Sequence, residues 1–202
     1  MGGGGMTQTS SARDRIMEAA ARLFYRDGFR ATGIDKIIAE SGVAKMSLYR
    51  HFSSKDELIA AFLDWRHDFW MRWFVEEVES RFAVRQELSV LAEALGVWFG
   101  QEDFRGCAFI NVVAETGSTG NPHHVEQAAS HKRDLERYIA ELADRIGLSN
   151  PGTVAADAML VVEGMIVRFQ MTHGVAIVDS GKRVFAQIED AAAAKVREPE
   201  VV

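Results

Sequence analysis

An all-α protein in two parts is the fold class the sequence predicts: an N-terminal three-helix head containing a helix-turn-helix, and a larger helical C-terminal body. Three observations lead there. Apolar residues recur at three- and four-residue spacing along the chain, and no stretch alternates as a strand would. Serine, threonine and asparagine precede several of these stretches, and glycine follows them, as helix caps do. Residues 32–58, TGIDKIIAESGVAKMSLYRHFSSKDEL, read as two short helices joined by a glycine turn and then the start of a long one.

The elements follow in order. Residues 1–8 begin MGGGG and are set aside as a flexible or appended tail. The first helix spans 11–27, with Ile16, Ala19, Ala20, Leu23 and Phe24 on one face and Ser11 and Asp14 as a capping pair. Gly28 is placed to end it in a left-handed conformation. Thr32 with Asp35 repeats the capping pattern for a second helix, whose inner face is Ile34, Ile37 and Ile38. Ser41-Gly42 makes the turn, Val43 and Leu48 pin the third helix, and Phe52 closes the head, 9–55.

The body, 56–202, starts with a fourth helix over 54–80. Ser53 or Ser54 caps it, and Asp56 and Glu57 complement its dipole. Leu58, Phe62, Trp65, Phe69 and Trp73 mark its apolar stripe. At about 1.5 Å per residue it makes a rod of about 40 Å linking head and body. Leu88, Leu91, Leu95 and Phe99 mark a fifth helix, and RGCAFINVVAE a short sixth. Asn121-Pro122 and Asn150-Pro151 each place a cap residue before a proline at the first helical position. They start helices over 122–146, ending at Gly147, and 151–173, ending at Gly174. A last helix follows Ser180.

Charge is divided unequally. Residues 1–55 carry nine Lys/Arg against five Asp/Glu, while the rest carry fourteen against twenty-four. A basic head on an acidic body confines phosphate attraction to one end. With its apolar residues facing inward, the third helix presents Lys45, Met46, Ser47, Tyr49 and Arg50. Such a face suits a recognition helix in the DNA major groove. A single cysteine, Cys107, forms no intramolecular disulfide and fits a reducing cytoplasm. No apolar run reaches the roughly 18 residues of a membrane span, so no membrane partner is expected.

The LF pair, the glycine-aromatic pair, T-x-I-D-x-I, A-x-S-G-V, K-x-S-L-Y and HF-x-S-K-x-E-L follow one another over about residues 9–63. In this order the chain closely resembles the TetR family of bacterial transcriptional regulators. The resemblance implies phosphate contacts from Thr32, Tyr49, His51 and Lys55, with Gly33 allowing close backbone approach. It implies base contacts from Lys45, Met46, Ser47 and Arg50. The family often has serine and glycine where this chain has Ala44 and Met46, so the operator sequence is not implied.

The helix at 151–173 is nearly apolar all round, which calls for burial on both sides. A second copy of the chain would cover the outer side, with Val162, Ile166, Val184, Phe185 and Ile188 in the homodimer interface. Two recognition helices about 34–36 Å apart would then meet successive major grooves of palindromic double-stranded operator DNA. By resemblance, helices four to eight enclose a cavity for a small-molecule effector. Trp65, Phe69, Trp73, Trp98, Cys107, Asn111, Met165 and Phe169 are its expected lining, with Glu115, Glu163, Arg168 and His173 as further polar anchors.

The expected function is a repressor, not an enzyme, with no cofactor and no metal. His123, His124, Glu126 and His131 match no metal-ligand spacing and are taken to lie on an exposed helix start. Cys107 with a histidine lacks a third orienting group for catalysis. The rival reading is a helical ligand-binding or enzymatic protein of the same fold without DNA function.

Overall fold

The computed structural model describes residues 10–117 and 120–197, with the backbone alone for 194–197. The tail read at 1–8 lies outside the described residues. Among these, nine helices follow in order: α1 (Ala12–Asp27), α2 (Ile34–Ser41), α3 (Lys45–His51), α4 (Lys55–Phe82), α5 (Ser89–Phe99), α6 (Ala108–Thr116), α7 (Pro122–Ile146), α8 (Pro151–Thr172) and α9 (Ala176–Arg197).

The head forms as its pattern requires. Ser11 Oγ accepts the Asp14 N–H at 3.1 Å, and the Asp14 carboxylate accepts the Ser11 N–H at 3.1 Å, which closes a capping box. Ile16, Leu23, Phe24, Ile37, Leu48 and Phe52 are buried together. Two local expectations change. Gly28 does take a positive φ of 90°, but its ψ of 162° is extended, not left-handed helical. A Cβ there would also stand 2.9 Å from both carboxylate oxygens of Glu115, so close approach as well as backbone conformation selects glycine. The residue capping α2 is Gly33, without a side-chain bond. Thr32 is buried, and its hydroxyl donates inward, 2.7 Å from Gly28 O and 3.2 Å from Leu23 O.

The α4 helix begins under the head, capped by Ser54 Oγ on the Glu57 N–H at 3.1 Å, and runs 28 residues into the body. Its buried row departs from the expected stripe after Phe62. Leu63, Trp70, Phe74, Val78 and Phe82 turn inward, while Trp65 and Phe69 stack on each other outside, 44% and 49% exposed. The inner row wins because α5 and α7 pack on that side. Trp70 stacks on Phe74 at 4.6 Å and meets Trp98 edge-on at 5.3 Å.

In the body, α7, α8, α5 and α9 pack as neighbours. Asn121 caps α7 by accepting the His123 N–H at 3.0 Å, and Gly147 ends it in the left-handed conformation. Before α8 the pattern is met only in part. Pro151 starts the helix, but Asn150 is itself left-handed and gives no side-chain cap. His173, not Gly174, takes the left-handed C-cap. The last helix starts at Ala176, so Ser180 lies inside it. No helix among the described residues is long and apolar enough to cross a membrane.

Candidate nucleic-acid interface

The α2–α3 pair forms one outer end of the molecule. The turn at Gly42 (φ 63°, ψ 26°) sets α3 across α1 and α2 with Val43 and Leu48 as its buried anchors. Lys45, Met46, Tyr49, Arg50 and His51 then face solvent, and Ser47 is half-buried. Met46 is 74% exposed, a cost that a helix serving only the core would not carry. Lys45 Nζ stays 3.6 Å from Asp35 Oδ1 with both side chains largely exposed, a weak pairing that leaves the ammonium available. Lys36 and Arg26 converge on Asp27 at 2.7 Å each, and Arg26 first, then Lys36, holds that carboxyl well below its usual range. Arg13 lies over the Phe52 ring at 5.2 Å and ties α1 to the end of α3.

Two expected DNA contacts sit differently. With its whole side chain buried and its hydroxyl spent on carbonyls, Thr32 reaches no phosphate in this conformation; it positions Gly33 and the start of α2 instead. Lys55 is half-buried. Burial pushes its ammonium below the usual lysine value, while Asp56 and Glu115 pull it back up.

The head is fastened to the body by polar contacts that the sequence does not announce. The Glu115 carboxylate at the end of α6 accepts the Arg30 N–H at 3.0 Å. Tyr25 donates to Gly106 O at 3.0 Å and accepts the Arg105 N–H at 3.2 Å. Within the body, α7 holds the first turns of α4: His124 Nε2 lies 3.0 Å from Asp56 O, and the Gln127 amide donates to Ala60 O at 3.1 Å. Glu115 is therefore a head contact and not a cavity anchor. His124 and His131 are buried, contrary to the exposed helix start expected for them, and among the described residues no three His, Cys, Asp or Glu gather as for a metal.

Comparison with known proteins agrees with this geometry. Residues 16–62 match the family model for bacterial regulatory proteins of the tetR family. A TetR-family transcriptional regulator from Streptomyces coelicolor superposes with a TM-score of 0.75 at 26% identity, over 90% of this chain and 96% of that one. The helix-turn-helix region, residues 16–62, is of the TetR family. Its DNA-binding helix-turn-helix is the stretch α2–α3. The HTH-type transcriptional regulator YerO of Bacillus subtilis is 29% identical over 149 residues, 65% of this chain and 50% of that protein. The HTH-type transcriptional repressor KstR2 of Mycobacterium tuberculosis is 44% identical over 62 residues, 29% of this chain and 31% of that protein. The chain thus spans half the length of YerO and about a third of KstR2 in these matches.

The interior of the body is tightly filled. Between α4, α5, α6, α7 and α8 remains a void of about 10 Å³, bordered by Arg66, Trp70, Trp98, Cys107, His131 and Lys132 among others. Of the expected lining only Trp98 and Cys107 are there. Trp65 and Phe69 face outward, and Trp73 is displaced from the void by Trp70. Asn111 donates to Arg105 O at 2.9 Å, Phe169 stacks on Phe99 at 4.5 Å, and Met165 turns toward Gly181 of α9. Glu163 pairs with Lys132, while Arg168 and His173 are exposed.

The expected interface residues divide likewise. Val162, Ile166 and Phe185 are buried in the chain's own core and are unavailable to a partner; Val184 is exposed and Ile188 half-buried. The uncovered side of α8 is Leu160, Gly164, Val167 and Met171, spaced as one helix face.

Proposed function

We propose that this protein is a cytoplasmic transcriptional repressor that binds a palindromic operator as a homodimer and leaves it when a small molecule binds the body. The observation that carries DNA reading is α3: a helix anchored by Leu48 whose other side offers Lys45, Met46, Tyr49 and Arg50 to solvent. Lys45, Met46, Ser47 and Arg50 are assigned to bases, Tyr49, His51 and Lys55 to phosphates, and Gly33 to close backbone approach. The division into a head, 9–55, and an effector-binding and dimerisation body, 56–202, belongs to the same reading. KstR2, similar over 62 residues, carries the name repressor.

The exposed apolar side of α8 supports the dimer. Leu160 and Met171 are 72% and 77% exposed, and with the exposed Val167 they lie along one face of α8. A two-fold copy seated there would cover it with the same residues. Release follows from the fastening of the head. The α7 helix holds the first turns of α4 and α6 holds Arg30 in the loop after α1, so a shift of either under a ligand tilts α4 or the head and changes the spacing of the two heads. The ligand acts only through its differential affinity for the two arrangements.

Selection of sites from a randomised duplex library at about 150 mM salt, where phosphate-only binding is suppressed, tests the reading. One recovered palindrome supports it. A folded dimer that selects nothing refutes DNA reading by this chain.

A further inference from the structure

The first turn of α1 carries two exposed arginines, Arg13 and Arg15. Cations there oppose the helix dipole, which favours negative charge at this end. Ion pairing does not offset that cost. Among the described residues the pairs of the head are Arg22–Glu40, Arg26–Asp27, Lys36–Asp27 and Lys45–Asp35, and neither arginine takes part. Asp14, which stands between them, is occupied: its carboxylate accepts the Ser11 N–H at 3.1 Å and the Ser11 hydroxyl at 2.7 Å. The backbone end of α1 is closed by this capping box and is not itself a site.

The two arginines are placed differently. Two positions along a helix are about 200° apart around it, so they leave α1 in different directions. Arg13 crosses to the end of α3, where its guanidinium lies over the buried Phe52 ring at 5.2 Å. Phe52 directly follows Arg50 and His51, the exposed basic residues of the last turn of α3. Arg13 therefore adds a third basic side chain to that end of the recognition helix. A ring held in the core makes a fixed platform, so less side-chain freedom is lost when the guanidinium meets a partner.

We infer that Arg13 holds a DNA backbone phosphate from outside the helix-turn-helix, next to the phosphates assigned to Tyr49 and His51, with Phe52 as its support. This rests on the reading of the head as a DNA reader and adds to it a contact from α1. A guanidinium can take two phosphate oxygens at once. The other end of α1 is fastened to the body, where Tyr25 donates to Gly106 O and accepts the Arg105 N–H. One helix of 16 residues thus joins a phosphate contact to the body.

The test uses the purified full chain, a duplex of random sequence and the selected palindrome, with anisotropy followed between about 50 and 200 mM salt. Arg13→Ala should lower the slope of log affinity against log salt by about 0.9 for each head bound, equally on both duplexes. Over that range the advantage of the unaltered protein then shrinks by about 3.5-fold per head. Arg13→Met keeps an apolar stem against Phe52 without the charge; it should lose the same slope while its denaturation midpoint stays within error of the parent. Arg13→Lys should keep the slope, and so should Arg15→Ala. The inference is overturned if a folded Arg13→Met protein keeps the parent slope, or if Arg15→Ala lowers it equally, since the effect would then belong to net charge. A loss confined to the palindrome also overturns it, by making Arg13 a base contact. A parent protein that binds neither duplex refutes the DNA-reading head and this contact together, whereas normal parent binding with unchanged variant slopes refutes the contact alone.

Discussion

Two helices of this protein expose large apolar side chains to the same degree, yet the settings differ. On α3, Met46 is isolated among Lys45, Ser47, Tyr49 and Arg50, so the surface is polar and basic with one apolar point. On α8, Leu160, Val167 and Met171 follow one another along a face with Gly164 between them, and the exposed charges Asp157 and Arg168 stand beside that row. An isolated methionine in a basic field suits a groove lined with phosphates and thymine methyls. A continuous apolar row suits a protein surface, since water is excluded only when the whole row is covered. Exposure alone does not separate these roles; the neighbours of the exposed residue do.

The same substitution on both helices tests that difference. Leu160→Glu should place a charge and its two-fold mate in the proposed interface at a cost of about 3–5 kcal/mol, and sedimentation should give the 22.4 kDa monomer. Met46→Glu should leave sedimentation unchanged and weaken the selected operator by about 1–3 kcal/mol. If Leu160→Glu remains dimeric, the apolar row of α8 is not the interface.

The interiors of the two parts also differ, and pH separates them. Burial, reinforced by Lys132, His67 and Arg66, holds His131 down to about 2 from 6.5. The unfolded chain therefore binds a proton that the folded chain refuses. Stability is full above pH 6.5 and falls as the pH drops, by about 1.4 kcal/mol per unit while the gap persists. His131→Phe should flatten the acid limb of the unfolding free energy between pH 6.5 and 4; an unaltered limb would mean that His131 is not a buried neutral group. In the head, Thr32→Val should remove one buried donor bond without changing shape, costing about 1–2 kcal/mol in denaturant unfolding. A larger loss of operator affinity than of stability would restore Thr32 to the DNA contact from which its burial removes it.

Where caps and glycines punctuate the chain, the sequence was legible. Asn121-Pro122 and Gly147 bound α7 as read, and Ser11 with Asp14 closes the box expected of it. Sidedness was legible only where one face was polar. The α4 helix carries two apolar rows after Phe62, and periodicity does not say which one α5 and α7 will cover. Trp70, Phe74 and Val78 were covered, leaving Trp65 and Phe69 outside. The α8 helix has the same ambiguity all round: the need for an outer cover was readable, but Val162 and Ile166 were placed on the outer side and belong within. The contacts that fasten the head, such as Glu115 with Arg30, join residues 85 positions apart. Long-range polar pairs of this kind leave no local pattern.

The smallest expected effect distinguishes two lysines on the same surface. Lys45 is extended into solvent with only a 3.6 Å pairing to Asp35, whereas Lys55 is half-buried beside Asp56 and Glu115. If Lys55 serves a phosphate, Lys55→Ala should lower the slope of log affinity against log salt by about 0.9, equally on operator and random duplex, because one fewer counterion is released. Lys45→Ala should instead change affinity mainly for the selected operator, since a base contact carries sequence information and a phosphate contact does not. Both slopes can be measured by fluorescence anisotropy between about 50 and 200 mM salt. An unchanged slope for Lys55→Ala would assign its ammonium to the α4–α6 junction with Glu115, and the phosphate contacts at this edge would then fall to Tyr49 and His51.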